Sequence, residues 1–159
     1  MNDVLLACES LKGRTGHEAG RELLARLYRE NAGEDLPPIL PGPRGKPYFA
    51  EGPWYFSISH TKRRVFCALS RRPIGIDAEE LDRRIDLGLA DKILSVPEKA
   101  QFDTAEDKRR ALLTFWVLKE AAAKYSGEGL RGYPNHTNFS LDDPRVRLQD
   151  DCLLAVITD

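Results

Sequence analysis

Hydrophobic positions follow two different spacings along the chain, and the switches between them predict both strands and helices. An apolar run at residues 3–8 predicts a first strand, and apolar residues every three or four positions over 17–31 predict an amphipathic helix. Alternation over 54–60 predicts another strand. A basic turn at 61–64, followed by the apolar run 65–69, then completes an antiparallel hairpin.

A strand predicted over 74–79 has one apolar face and one face that carries Gly75, Asp77 and Glu79. Two carboxylates therefore leave this strand on the same side. Two interpretations remain open: the carboxylates share a site with a cation, or they face water at the end of a strand. A last apolar run at 152–157 predicts a final strand.

A long helix is predicted over 107–125, with charged residues among its apolar ones. Glu120 falls on the stripe of apolar residues, and Lys124 lies one turn beyond it. An exposed pair between these two side chains would explain both charges without any function. The run Ala121–Ala123 predicts that another element approaches this helix closely.

Turn and cap signals separate these elements. Five prolines between residues 36 and 47 predict a loop. Ser95 and Glu98 fit a helix capping box, which accounts for Glu98 in structural terms. Gly127 and Gly129 predict the end of the long helix and a tight loop after it.

Composition narrows the class of protein. The chain has 159 residues, of which 42% are hydrophobic and 31% charged, which predicts a soluble globular protein. A net charge of -1 removes the case for a strongly basic nucleic-acid binder. No stretch has the length of a membrane span and no signal-peptide pattern opens the chain, so we expect a cytoplasmic protein without a membrane partner. Three cysteines are interpreted as small core residues: Cys8, Cys67 and Cys152.

The charged residues suggest a chemistry when the predicted elements are combined. Asp77, Glu79 and Glu120 together offer three oxygen donors, which suit a hard ion such as magnesium held also by waters and substrate phosphates. Four basic side chains are candidates to neutralise such phosphates: Lys46, His60, Lys119 and Lys124. Alternatives remain, since Lys46 could be a solvated loop charge and His60 a half-buried histidine. No Walker A loop, G-x-G-x-x-G motif or kinase motif set is present.

Four short phrases occur in order along the chain and carry a resemblance to a known family. They are Gly45-Lys46-Pro47, Phe56-Ser-Ile-Ser59-His60, Ile74-Gly75-Ile76-Asp77-Ala-Glu79 and Trp116-Val-Leu-Lys119-Glu120-Ala-Ala-Ala-Lys124. In these residues the chain resembles the 4′-phosphopantetheinyl transferase superfamily, and most of all its longer, surfactin-synthetase-activating class. The resemblance implies an α+β fold of two similar α/β halves, 1–73 and 74–159, related by a pseudo-twofold axis. Each half would be a small, mainly antiparallel sheet packed with a long helix.

The same resemblance implies a function and a set of site residues. Phosphopantetheine would pass from coenzyme A to a serine of an apo acyl or peptidyl carrier protein, with magnesium, releasing 3′,5′-ADP. The implied metal ligands are Asp77, Glu79 and Glu120, and the implied phosphate contacts are Lys46, Ser59, His60, Lys119 and Lys124. The implied catalytic set is Asp77, Glu120 and Lys124, and the base for the serine hydroxyl would be Glu120 or water on the metal. Arg14 and His17 are candidates to hold the 3′-phosphate and adenine.

Partners and alternatives follow from the resemblance as expectations. The segment from Lys92 to Phe102 would be either a basic and apolar patch for the carrier protein or an ordinary amphipathic helix. The carrier could serve fatty acid, polyketide or nonribosomal peptide synthesis, and a complete two-halved chain would be a monomer. The alternative function is a non-catalytic coenzyme A or carrier-protein binding module on the same fold.

Overall fold

The computed structural model describes residues 3–127 and 138–159. The first half contains β1 (Val4–Ser10), α1 (Gly16–Ala32), β2 (Ile39–Pro41), β3 (Pro47–Phe49), β4 (Tyr55–His60) and β5 (Arg64–Ser70). The second half contains β6 (Ile74–Glu80), a 3₁₀ turn (Leu87–Leu89), α2 (Ala90–Ile93), α3 (Val96–Thr104), α4 (Lys108–Ser126), β7 (Val146–Gln149) and β8 (Cys152–Thr158). The predicted α+β class is confirmed. Gly129 lies outside the described residues.

Residues 4–70 and residues 74–158, called the first and second half only for description, each form a strand and a long helix before an antiparallel hairpin. The strand order is β1-β5-β4 in the first sheet and β6-β8-β7 in the second, and every pairing is antiparallel. The predicted hairpin is confirmed as β4 and β5, with Ser59 opposite Phe66. A pseudo-twofold axis and the division at residue 73 stay predictions.

The Pro-rich segment is more ordered than the sequence predicted. It contains the two-stranded ribbon β2-β3, with Ile39 opposite Phe49, where a plain loop was expected. Prolines are tolerated because they lie at the end of β2 and the start of β3, and because both strands of a two-stranded ribbon are edge strands. The turn between them places Gly45 at φ 87°, a left-handed conformation that glycine adopts readily.

The two sheets pack face to face, and each long helix covers the outer face of its own sheet. Phe66 of the first sheet and Ile76 and Leu154 of the second are fully buried between the sheets. Leu24 of α1 and Leu118 of α4 are equally buried on the two outer faces. Each sheet thus packs against the other sheet on one face and against its own long helix on the other, which explains why β6 has no exposed face.

The long helices begin and end where the sequence predicts. Thr15 caps the N-terminus of α1, and Asp107 caps that of α4. Gly127 ends α4 in the left-handed conformation at φ 76°. Ser95 and Glu98 form the predicted capping box of α3. Within the described residues, no helix is both long enough and apolar enough to cross a membrane.

The halves also meet along a seam between β4 and β6, in which serine hydroxyls replace a backbone ladder. The Ser57 hydroxyl accepts a hydrogen bond from the Ile76 N–H at 3.0 Å, and the Ser59 hydroxyl accepts one from the Ala78 N–H at 3.0 Å. These two bonds align the strands in the same direction. Residues 71–73 connect β5 to β6, so the seam joins halves that are held by a short tether.

Candidate functional site

Helix α4 lies directly on the face of β6 that carries the carboxylates. A Cβ built on Gly75 would stand 2.1 Å from the Ala121 carbonyl oxygen and 2.3 Å from the Tyr125 nitrogen. Only a glycine allows this approach, and the small residues of α4 match it as their sequence predicted. The contact places Glu120 and Lys124 over the same face of β6 as Asp77.

Asp77 is the most enclosed of the three carboxylates, with 7% of its surface exposed. Its Oδ1 accepts hydrogen bonds from the Ser59 hydroxyl at 3.2 Å and from Lys124 Nζ at 3.3 Å. Its Oδ2 is buried and finds no partner among residues 3–127 and 138–159. Burial raises the pKa of Asp77 to about 6, Glu120 adds to the rise, and Lys124 opposes it.

Two lysines converge beside these carboxylates, and each crosses to the other half of the molecule. Lys46 Nζ, from the ribbon turn, donates to the Ile74 carbonyl at 3.1 Å, and Lys124 Nζ donates to the Ile58 carbonyl at 3.2 Å. Burial lowers the pKa of Lys46, and the charge of Lys124 lowers it further. Two cations this close favour an anionic ligand between them.

A cavity of about 280 Å³ opens between the ribbon turn, β4 and α4, and this place is called the junction below. Its lining includes Lys46, Ser57, Glu120 and Lys124. Burial raises the pKa of Glu120, Glu79 raises it further, and Lys124 opposes both. The cavity therefore places a carboxylate suited to accept a proton next to cations suited to hold phosphate.

Glu79 is held by two side chains that the sequence did not single out as ligands of the site. Its Oε1 accepts hydrogen bonds from Arg83 and, at 3.2 Å, from the Trp116 indole N–H. Burial raises the pKa of Glu79, Asp77 raises it further, and Arg83 and Trp116 oppose the rise. Trp116 is therefore a hydrogen-bond donor at the site as well as a packing residue.

Ser59 and His60 leave β4 in different environments. The buried Ser59 hydroxyl is already used between Ala78 and Asp77, which gives it a structural role whatever ligand it contacts. His60 is exposed, and its imidazole lies against Gly16, where an added Cβ would stand 2.3 Å away. His60 therefore lies at the N-terminal end of α1, a location that favours anions.

Lys119 was predicted to contact phosphate, but the structure places its side chain in a buried ion pair. Its side chain is 1% exposed and pairs at 2.8 Å with Glu98, which is fully buried. The other oxygen of Glu98 accepts from the Phe139 N–H at 2.8 Å. This buried pair joins α3 to α4, which gives Lys119 a structural role.

Arg14 and His17 lie near the N-terminus of α1, and their predicted roles stay predictions. The Arg14 guanidinium pairs with Glu9 at 3.1 Å and with Glu22 at 2.6 Å, so it also fixes the turn between β1 and α1. His17 is exposed on the first turn of the helix.

The segment from Lys92 to Phe102 does not form an open basic and apolar patch, because its charges and apolar residues are largely used within the protein. Lys99 pairs with Asp91 and Asp103, and Phe102 is buried. Val96, 87% exposed, is the large apolar residue that this segment leaves open to solvent. The contacts favour the amphipathic-helix interpretation, and carrier binding there stays a prediction.

The donor chemistry of the junction fits a hard cation, although the carboxylates are not gathered into a ligand set. Among the described residues, no three acidic, histidine or cysteine side chains stand close enough together to hold a metal ion. The unpartnered Oδ2 of Asp77 is nevertheless an oxygen donor already removed from water. Glu79 lies near enough to Glu120 for its charge to raise the pKa of Glu120.

Comparison with known proteins shows which family the chain resembles. Residues 73–151 match the 4′-phosphopantetheinyl transferase superfamily. The chain is 36% identical over 116 residues to the 4′-phosphopantetheinyl transferase Sfp of Bacillus subtilis (strain 168), an alignment that covers 70% of this chain and 48% of that protein. It is 32% identical over 114 residues to the 4′-phosphopantetheinyl transferase AcpT of Escherichia coli (strain K12), covering 69% and 56%. The chain thus spans about half the length of these relatives.

Proposed function

Because the chain belongs to the 4′-phosphopantetheinyl transferase superfamily, we propose that it transfers phosphopantetheine from coenzyme A to a serine of an apo acyl or peptidyl carrier protein. The observation that carries the proposal is Asp77. One of its oxygens is tied to Ser59 and Lys124, and the other is buried without a partner in the described part of the chain. A carboxylate in this state is suited to a cation that arrives with a phosphate ligand.

Asp77, Glu79 and Glu120 would hold magnesium, with Glu79 released from its present contacts. The ion would neutralise charge on the pyrophosphate and on the leaving group. Lys46 and Lys124 bind the phosphates from opposite halves, since their ammonium groups converge on the cavity. His60 and the first turn of α1 lie where a further phosphate group would meet positive potential.

In the proposed reaction the serine oxygen of the carrier attacks the β-phosphorus of coenzyme A. A new oxygen–phosphorus bond forms, and the bond from that phosphorus to the bridging oxygen of the pyrophosphate breaks, which releases 3′,5′-ADP. Glu120 takes the proton of the serine hydroxyl, because burial makes its carboxylate a better proton acceptor than an exposed one. Lys124 stabilises the negative charge that builds on the phosphoryl oxygens.

The test is the intact mass of an apo carrier protein after incubation with this protein, coenzyme A and magnesium, with an EDTA control. A phosphopantetheine-sized gain that EDTA abolishes is the expected result. Glu120→Gln should slow the transfer by about 10²- to 10⁴-fold while the protein still binds coenzyme A. Full transfer by that variant would remove Glu120 from its role.

Coenzyme A binding without transfer, on both acyl and peptidyl carriers, would instead support a binding module on this fold. Calorimetric titration of the protein with coenzyme A separates the two outcomes. Lys46→Met should weaken this binding, and Lys99→Met, a change of the same charge on a remote helix, is its control. Equal affinities in the two variants would remove Lys46 from the phosphate site.

A further inference from the structure

Arg83 places a positive charge inside the carboxylate site. Its guanidinium pairs with the Glu79 carboxylate, four residues earlier at the end of β6, and lies over the Trp116 ring at 5.7 Å. Trp116 donates its indole N–H to the same Glu79 oxygen. Glu79 is thus held from two sides, and its charge is matched by a cation that the chain itself supplies.

The backbone that carries Arg83 is anchored, so this pairing does not depend on a free loop. Arg109, at the start of α4, donates to the carbonyls of Leu81 and, at 3.1 Å, of Arg83. Arg63 holds the Asp82 carboxylate with two hydrogen bonds of 2.8 and 3.0 Å. These contacts restrain the segment from which the Arg83 side chain reaches Glu79.

The pair is nevertheless open enough to exchange. Arg83 is 38% and Glu79 18% exposed at the side chain. Both residues line a cavity of about 640 Å³, which gives the guanidinium room to move without unfolding its segment. A half-exposed ion pair of this kind is weak, so a divalent ion competes with it at modest cost.

We propose that Arg83 is a built-in counter-ion of the carboxylate site, which occupies Glu79 in the metal-free protein and is displaced when a divalent cation binds. The inference rests on the proposed function, because it takes Asp77, Glu79 and Glu120 as the ligands of that cation. In the metal-free protein Arg83 limits the repulsion between Glu79 and the neighbouring carboxylates. The same charge lowers the affinity of the site for magnesium, since the ion must first separate Arg83 from Glu79.

The test measures magnesium binding by the protein alone, without coenzyme A or carrier. Trp116 contacts both of the paired side chains, so its fluorescence reports the change, and Trp54→Phe removes the second tryptophan from the signal. In this background we compare the parent protein, Arg83→Met and Arg84→Met. Arg84 is the matched control, because it is the adjacent residue, exposed and of the same charge.

Arg83→Met should bind magnesium about three- to ten-fold more tightly than the parent, because both competition and repulsion are removed. Arg84→Met should change the affinity by no more than about two-fold, since its exposed charge is screened. Arg83→Lys, which keeps the charge but lacks the planar guanidinium, should fall between parent and methionine variant. Calorimetric titration of the same proteins provides the affinities independently of the fluorescence amplitude.

Equal affinities for the two methionine variants, or weaker binding by Arg83→Met, would overturn the counter-ion role. In either case magnesium still binds the parent protein, so the proposed function stands while this inference fails. Absence of magnesium binding by the parent would overturn the inference but not the metal requirement, because in the proposed function the ion arrives with a phosphate ligand. The carrier-mass assay would then test transfer separately.

Discussion

Gly75 lies directly beneath the carbonyl oxygen of Ala121, with 2.1 Å separating that oxygen from the position a Cβ would take. This contact sets how closely α4 approaches β6. It also fixes the height of Glu120 and Lys124 above Asp77. The glycine of the Gly-Ile-Asp phrase is thus explained by a backbone contact with the helix that carries the other site residues.

Gly75→Ala should lower the free energy of unfolding by about 1 to 3 kcal/mol, because the methyl group collides with backbone that cannot rotate away. Thermal unfolding measures this loss. Gly88→Ala is the control, because its Cβ would meet only the exposed Asp86 side chain, at 3.2 Å. If both variants unfold at the same temperature, the closeness of α4 and β6 does not depend on the glycine.

The serine seam predicts different consequences for two similar substitutions. Ser57→Ala and Ser59→Ala each leave a buried N–H of β6 without its acceptor, which should cost about 1 to 3 kcal/mol. Ser59→Ala also frees Asp77 from one of its donors. We therefore expect similar losses of stability in urea, with a transfer rate about ten-fold lower for the Ser59 variant than for the Ser57 variant.

A larger loss of transfer in the Ser57 variant would contradict this assignment. Both rates are to be compared at a temperature where each variant is folded, as judged by circular dichroism. This control separates the placement of Asp77 from a general loosening of the seam.

Asp77→Asn should stabilise the metal-free protein relative to the parent, increasingly so as the pH rises. Burial raises the pKa of Asp77 from 3.8 to about 6, so the folded state holds this proton more tightly than the unfolded chain. The resulting cost of ionisation is absent below the ordinary pKa and complete above the raised one. The difference in unfolding free energy between variant and parent should grow by roughly 2 kcal/mol between about pH 4 and pH 8.

Urea titrations in EDTA at several pH values measure this difference. Carboxylates that do not interact with Asp77 titrate alike in both proteins, so their effects cancel in the comparison. A difference that is constant with pH would show that Asp77 has an ordinary pKa in the folded state.

Lys119→Met should lower the free energy of unfolding by about 3 to 5 kcal/mol, since it leaves the buried Glu98 carboxylate without its cation. The double variant Lys119→Met/Glu98→Gln should recover part of this loss, because the remaining partner is then neutral. Denaturation of the two variants measures both effects. A lysine that binds phosphate would behave differently: its substitution would weaken coenzyme A binding and leave the free energy of unfolding almost unchanged.

The sequence predicted the elements better than it predicted the contacts between them. Alternation identified the hairpin and the carboxylate face of β6, and Gly127 identified the end of α4. The partner of Lys119 could not be found in this way, since Glu98 lies on another helix and its capping role already accounted for it.

Two further features carry no periodic signal. The bonds of Ser57 and Ser59 to β6 replace a ladder, so nothing in the alternation of β4 indicates them. The ion pair between Arg83 and Glu79 depends on a tertiary contact, because Arg109 of α4 holds the backbone of Arg83 in place. The carboxylates were predicted from the chain, but the cation that matches one of them was not.

Residues 71–73 link β5 to β6, and this short link determines how the two halves behave when the bonds between β4 and β6 weaken. Three residues hold the ends of β5 and β6 within a few residue lengths, so the two halves stay at high effective concentration even when the bonds between them break. Opening is then an intramolecular event that reverses without any encounter between separate molecules. The rate of closing after such an opening is therefore set by local rearrangement and is independent of protein concentration.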